Sequence, residues 1–350
     1  GQALQLRLQG DAIAGNVRIP DAAGATVAGS FDHVSWPMPP PDAGAKAMAS
    51  ARPEDKPAAT DPAGVPPLSF DIGRLQVGAA VLGAARLRTR PVPAGMRITE
   101  LHAETPRQRV DIAGDWLGQG EAARTRLHAS TESDDFGALF SGLGYGGQLD
   151  QGEGKLVLDA AWPGAPADFS PLTLDGTLSL DVRDGQLVEI EPGAGRVLGL
   201  LSIAQLPRRL TLDFRDFFDK GFAFDTLAGE VRIGDAKAST QGLVIAGPAA
   251  EIAIRGTADL RAQAFDQTIE VVPRTGNLLT AVGAIAGGPV GAAIGAAANV
   301  VLRKPLGEMA ARTYKVTGPW KEPKVDVIDR GPPVQPQPPQ PAPPPDPAQG

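Results

Sequence analysis

Apolar and polar residues alternate with a period of two along most of this chain, in short runs separated by glycine and Asp-containing turns. A period of two sends successive side chains to opposite faces of a strand, so such a chain must build sheet with one apolar and one polar face. "LQLRLQG" places Leu4, Leu6 and Leu8 on one face, and "AGNVRIP" does the same with Val17 and Ile19. The pattern continues through "LSFDIGRLQVG", "AARLRTR", "MRITELHAE", "QRVDIAGDW", "ARTRLHAS" and "GKLVLDAAW". In "LTLDGTLSLDVRDGQLVEI", the "RDG" at Arg183 to Gly185 reads as a hairpin turn. Val231/Ile233, Leu243/Ile245 and Ile252/Ile254 are apolar pairs two residues apart, again with turns between them.

Pattern counting yields about 15 to 18 strands and about three helices. Consecutive short strands with tight turns form a meander, and a meander makes antiparallel sheet. At about 4.8 Å per strand, one such sheet is on the order of 70 Å long. It must twist, curl or close. The expected fold is mainly β: an elongated, curled antiparallel sheet with a few short helices.

Composition narrows the function. The chain has 350 residues and a net charge of −7. No basic stripe is present to neutralise phosphates, which argues against nucleic acid as a partner. Cysteine is absent, and with it disulfides, zinc–thiolate sites and thiol nucleophiles. With 43 Gly, 34 Pro and 5% aromatic residues, an extended β architecture fits better than a compact core built on large rings. The chain begins at Gly1 without a charged-then-apolar leader, and reads as a fragment or processed chain of a longer protein.

The organisation follows from these patterns. Residues 1–36 carry strands. Residues 37–67, "PMPPPDAGAKAMASARPEDKPAATDPAGVPP", hold almost no large aliphatic residue and read as a disordered insertion. Residues 68–276 resume the sheet, with short helices expected near 134–143 and 194–206. The first has Asp134 or Asp135 as its N-cap and Phe136, Leu139, Phe140 and Leu143 as its buried side. Residues 277–304 form an apolar Gly/Ala-rich segment, 305–330 the terminal strands, and 331–350 a Pro-rich disordered tail.

A search for chemistry is negative. His33, His102 and His128 fall in three different strand patterns without metal-ligand spacing. There is no G-x-S-x-G elbow and no phosphate-binding loop of the P-loop type. "GLGYGG", Gly142 to Gly147, matches G-x-G-x-x-G, but a helix precedes the glycines and a strand follows. A dinucleotide site needs the reverse order, so this is a glycine-rich helix exit. "DFRDFFDKGFAFD", Asp213 to Asp225, mixes phenylalanines with acids and reads as the aromatic closure of a sheet end or, alternatively, as a docking patch. No enzyme, no cofactor and no metal site are expected.

From Leu278 to Leu302 no residue is charged. Leu278, Leu279, Val282, Ile285, Val290, Ile294, Val300 and Val301 are its candidate membrane-contact positions. Gly283, Gly287, Gly291 and Gly295 step by four, the spacing that brings helices close in lipid. Its aliphatics contribute about −3 to −5 kcal/mol toward insertion, before its glycines, Pro289 and Asn299 reduce that. Three placements fit: a helical hairpin touching lipid, a spanning helix, or an apolar plug inside the β structure. A break at Gly287-Gly288-Pro289 favours the hairpin.

Trp162 to Leu260, then "FDQTIEVVP", the Gly/Ala-rich segment and "YKVTGPWKEPKVDVI" in that order, resemble the C-terminal region of the AsmA-like envelope proteins of the YhdP type. The resemblance runs from Leu139 to Ile328 and is weaker before. It implies a bridge-type β-sheet with an apolar groove, in a protein of the Gram-negative periplasm anchored in the inner membrane by an N-terminal helix. It implies movement of phospholipid toward the outer membrane, met by the C-terminal end, and it brings no catalytic residues. On alternation, Leu178, Leu180, Leu210, Leu212, Val231, Ile233, Leu243, Ile245, Ile252 and Ile254 are candidates to line that groove. Ordinary sheet core is the competing reading of the same residues. The expected function is a section of a lipid conduit between the two membranes. The alternative is a docking module that binds an envelope protein partner without carrying lipid.

Overall fold

The alternations fold into strands that each pair with the strand before and the strand after. In the computed structural model the described residues are 2–37, 61–146, 148–188, 221–274, 311–320 and 322–328. Their strands are β1 (Ala3–Gln9), β2 (Ile13–Pro20), β3 (Val27–Trp36), β4 (Leu68–Val77), β5 (Ala80–Val92), β6 (Gly95–Thr105), β7 (Gln108–Leu117) and β8 (Arg124–Ser133). After the helix α1 (Phe136–Gly142) come β9 (Leu149–Pro163), β10 (Asp175–Leu187), β11 (Phe222–Gly234), β12 (Lys237–Ala246), β13 (Ala250–Asp259), β14 (Ala264–Pro273), β15 (Arg312–Pro319) and β16 (Lys324–Ile328). They make one 16-stranded sheet whose spatial order is the sequence order, open at β1 and β16. The expected helix near 194–206 and the helical hairpin at 277–304 lie outside the described residues.

Two local expectations are corrected. The sheet is not wholly antiparallel: β3 and β4 run parallel, with Phe31 opposite Ile72 and Trp36 opposite Val77. A parallel pair needs a crossover long enough to return to the strand's starting end. The 37–67 stretch is that connection, so it has a topological role beyond an insertion. Second, Arg183–Gly185 is no hairpin turn. The chain runs straight through it inside β10, pairing Arg183 with Thr226 and Gly185 with Phe224. The Asp-Gly dipeptide still takes the conformation that favours it, since Asp184 has φ 51°. It bends a strand instead of reversing one.

Helix α1 is short and well capped. The Asp135 carboxylate accepts from the Ala138 N–H at 2.8 Å. At the other end Gly144, with φ 87°, lets Tyr145 N–H reach Phe140 O and Gly144 N–H reach Ser141 O, the hydrogen-bond pair of a Schellman motif. This is the geometry behind "GLGYGG": a helix exit followed by β9. Phe136 and Leu139 bury against Leu149 of β9 and Ala80 of β5. A Cβ on Gly142 would meet Ala80 Cα at 2.7 Å, so only glycine permits the helix to lie this close to β5.

Candidate functional site

Residues directly opposite across a ladder share a face, so the registers convert alternation into continuous rows. One row runs Leu6, Val17, Gly29, Phe70, Leu87, Leu101, Ile112, Ala129, Leu158, Leu178, Val231, one residue from each strand from β1 to β11. A neighbouring row runs Leu8, Gly15, Phe31, Ile72, Ala85, Ala103, Val110, Thr131, Leu156, Leu180. Neither row carries a charge, and Thr131 is their single hydroxyl. At the inter-strand spacing, the first row is about 50 Å long.

The other face of the same strands is polar. There the row is Arg7, Asn16, Ser30, Asp71, Arg86, His102, Asp111, Ser130, Val157, Ser179, Glu230. Cross-strand ion pairs knit it, Arg88–Asp71 at 2.6 Å and Lys155–Glu132 at 3.1 Å, together with a hydrogen bond between His128 and Asp159 at 2.7 Å. Exposed pairs like these stabilise little, about 0–1 kcal/mol each; they keep this face in water. His102 Nδ1 donates to the Asp111 carboxylate at 2.6 Å, and that hydrogen bond raises its pKa above the ordinary 6.5 against the opposing effect of desolvation. Among the described residues no group of three metal-ligating side chains converges.

Burial varies along the apolar face: on the second row Phe31, Ala85 and Ala103 are buried, as is Val182 farther along β10. Val17, Phe70, Leu87, Leu101, Ile112, Leu158 and Leu178 are all half-buried. From β11 onward the same face is closed: Val231 is 3% exposed, Ile245 0%, Ile252 1% and Ile254 1%. There Phe222, Phe224, Phe265 and Tyr314 pack with Ile245, Ile252 and Ile254 and with Phe136 of α1 in one cluster.

The structure therefore separates the positions named from the sequence. Leu178 lies half-buried on the β10 part of the face and Leu180 packs half-buried against the edge of the large cluster, while Leu243, Ile245, Ile252 and Ile254 lie within that cluster and Val231 is buried beside it. Ile233 packs on a smaller cluster of Ala160, Trp162 and Leu174. Leu210 and Leu212 lie outside the described residues, as do Leu278, Leu279, Val282, Ile285, Val290, Ile294, Val300 and Val301. The half-buried positions of β4 to β9, Leu87, Leu101 and Leu158 among them, were absent from the sequence-derived set. Their alternation was visible; that registers align them into one row was not.

The family described as YhdP protein matches residues 1–325 of this sequence. The chain belongs to that family. It is similar to the intermembrane phospholipid transporter YhdP of Escherichia coli strain K12, with 28% identity over 230 residues. Those residues are 65% of this chain and 18% of that protein, so the chain spans a small part of the length of this YhdP relative. No solved structure matches the chain. Among the described residues no helix is long and apolar enough to cross a membrane, and the sheet is the substance of this section of a YhdP-family protein.

Proposed function

We propose that this chain is a section of a periplasmic lipid conduit, in which the sheet curls about its apolar face and phospholipid acyl chains lie along the Leu6-to-Leu178 row. One observation carries the reading: an uncharged row continues through ten strands, with most of its side chains half-buried, while the opposite face is polar. A buried CH₂ gains about 0.8 kcal/mol on leaving water, so an acyl chain is held strongly yet without direction along the row. Head groups stay at the wet edge. No bond is made or broken, and no catalytic group is required. The name of the Escherichia coli relative, an intermembrane phospholipid transporter, agrees with this reading.

The test is a pair of charge insertions, Leu101→Asp and Leu158→Arg, in the intact protein. Lipid recovered with the purified protein, read by mass spectrometry, should fall sharply, whereas Ser130→Asp on the polar face should change nothing. Equal lipid in all three variants sinks the conduit. In the same reading the 277–304 segment meets the outer membrane through Leu278 to Val301, and the full-length protein is held in the inner membrane by a helix N-terminal to this chain. Deleting 278–302 should then abolish membrane association of the C-terminal end.

The packed β11–β15 end favours a second reading for that part alone: a structural or docking module for an envelope protein. A stable protein complex that survives Leu101→Asp would support it.

A further inference from the structure

Along the Leu6-to-Leu178 row the half-buried stretch ends inside this chain, at a strand whose Val182 already belongs to the packed cluster. On one row Leu178 of β10 is half-buried, while its partner Val231 on β11 is 3% exposed. Aromatic side chains are denser beyond this place, although Phe31 and Phe70 already stand on the two rows. Small residues such as Ala85, Ala103, Gly114, Ala129 and Gly176 intersperse the aliphatics on this face up to β10. Beyond it Phe222, Phe224, Phe265 and Tyr314 fill the space.

A built feature sits at the transition. The connection from β9 to β10, residues 164–174, is pinned over the apolar face. Thr125 Oγ1 donates to Gly164 O at 2.9 Å and Trp162 Nε1 donates to Ala165 O at 3.0 Å. Phe169 stands edge-on against Trp162, with centroids 5.3 Å apart and planes at 83°. Trp162, Ala160 and Leu174 are buried together, and Leu127, Leu158 and Ile233 pack on them. Phe169 itself is 48% exposed, an aromatic ring presented to whatever occupies the neighbouring surface.

We propose that this strap is a stop in the lipid path: acyl chains contact the sheet from β1 to β10, meet Trp162 and Phe169, and leave the face there instead of passing beneath β11–β15. The inference rests on the conduit reading and specifies where its bound chain ends. The occupant is hydrocarbon, because the two rows offer no charge and one hydroxyl with which to hold anything polar. Phe169 acts as a positioning residue for the chain terminus, through its ring on Trp162.

Lipid contact can be mapped in the intact protein with a photo-crosslinking residue at Leu101, Leu158 or Ile254, reading adducts by mass spectrometry. Adducts are expected at Leu101 and Leu158 and not at Ile254. Because Ile254 lies in packed core, native tryptophans supply a second readout: in variants keeping only one tryptophan, a phospholipid brominated on its acyl chains should quench Trp162 and leave Trp320, which packs on Phe265 beyond the stop, unquenched. Phe169→Ala should raise the Leu158 adduct several-fold. Quenching of Trp320 equal to that of Trp162, or an unchanged Leu158 adduct in Phe169→Ala, overturns the stop while Leu101 adducts leave the conduit standing. Absence of adducts at Leu101 overturns both.

Discussion

Gly185 and Phe224 illustrate how single residues shape this sheet. They face each other across β10 and β11, and a Cβ on Gly185 would approach Phe224 Cζ to 2.5 Å. The ring therefore lies over the glycine, beside a bend where Asp184 on β10 and Gln151 on β9 both have positive φ. Gly185→Val should overpack this point and cost about 1–3 kcal/mol, read as a lower urea midpoint. Burial grades the aliphatics in the same way. Ile252→Ala should cost about 2–5 kcal/mol because a cavity opens in filled core, whereas Leu101→Ala, on the half-open face, should cost clearly less in the same urea series. His102 supplies a pH signature. Its folded pKa is raised by Asp111, so the bond's contribution to stability is full below the ordinary value of 6.5 and is lost as pH rises through the raised value. Asp111→Asn should bring the His102 titration, followed by NMR, down toward the ordinary value and flatten that part of the stability profile.

At the scale of elements, α1 joins parts of the sheet that are far apart in order. It follows β8, packs on β9, and accepts the Ala79 N–H at the Gly142 carbonyl, 2.7 Å away, just before β5. Asp135→Ala removes the N-cap and should cost about 0.5–2 kcal/mol in unfolding experiments. Gly142→Leu should do more harm, since its side chain must displace the Ala80 backbone; proteolysis at the β4–β5 turn would report the detachment. The helix, its cap and its Gly144 exit follow from "DDFGALFSGLGYGG" by local rules. Its reach to Ala80 does not, because nothing in that string names the strand four positions away in the sheet.

For the whole molecule, order in space repeats order in sequence, so each strand is stabilised by its two neighbours and the sheet grows along one dimension. Among the described strands the β3–β4 pair alone is parallel, and that makes the 37–67 connection testable. A parallel return over a strand of this length, about 33 Å, needs on the order of ten residues. Deleting a dozen residues within 38–60 should leave the sheet intact by circular dichroism and proteolysis; cutting the connection to about five should break the pairing of β3 with β4.

The sequence by itself determined that this chain makes a long, two-faced sheet, because a period of two leaves no other way to segregate Leu4, Leu6 and Leu8 from Gln5 and Arg7. It also carried the resemblance that placed the chain among AsmA-like envelope proteins. Only the tertiary structure decided which apolar residues remain half-open. Leu101 and Ile254 have the same local pattern, yet one lies on an open row and the other among aromatic side chains brought in from β11, β14 and β15. Alternation specifies which face a side chain takes; what covers that face depends on register and on residues distant in the chain.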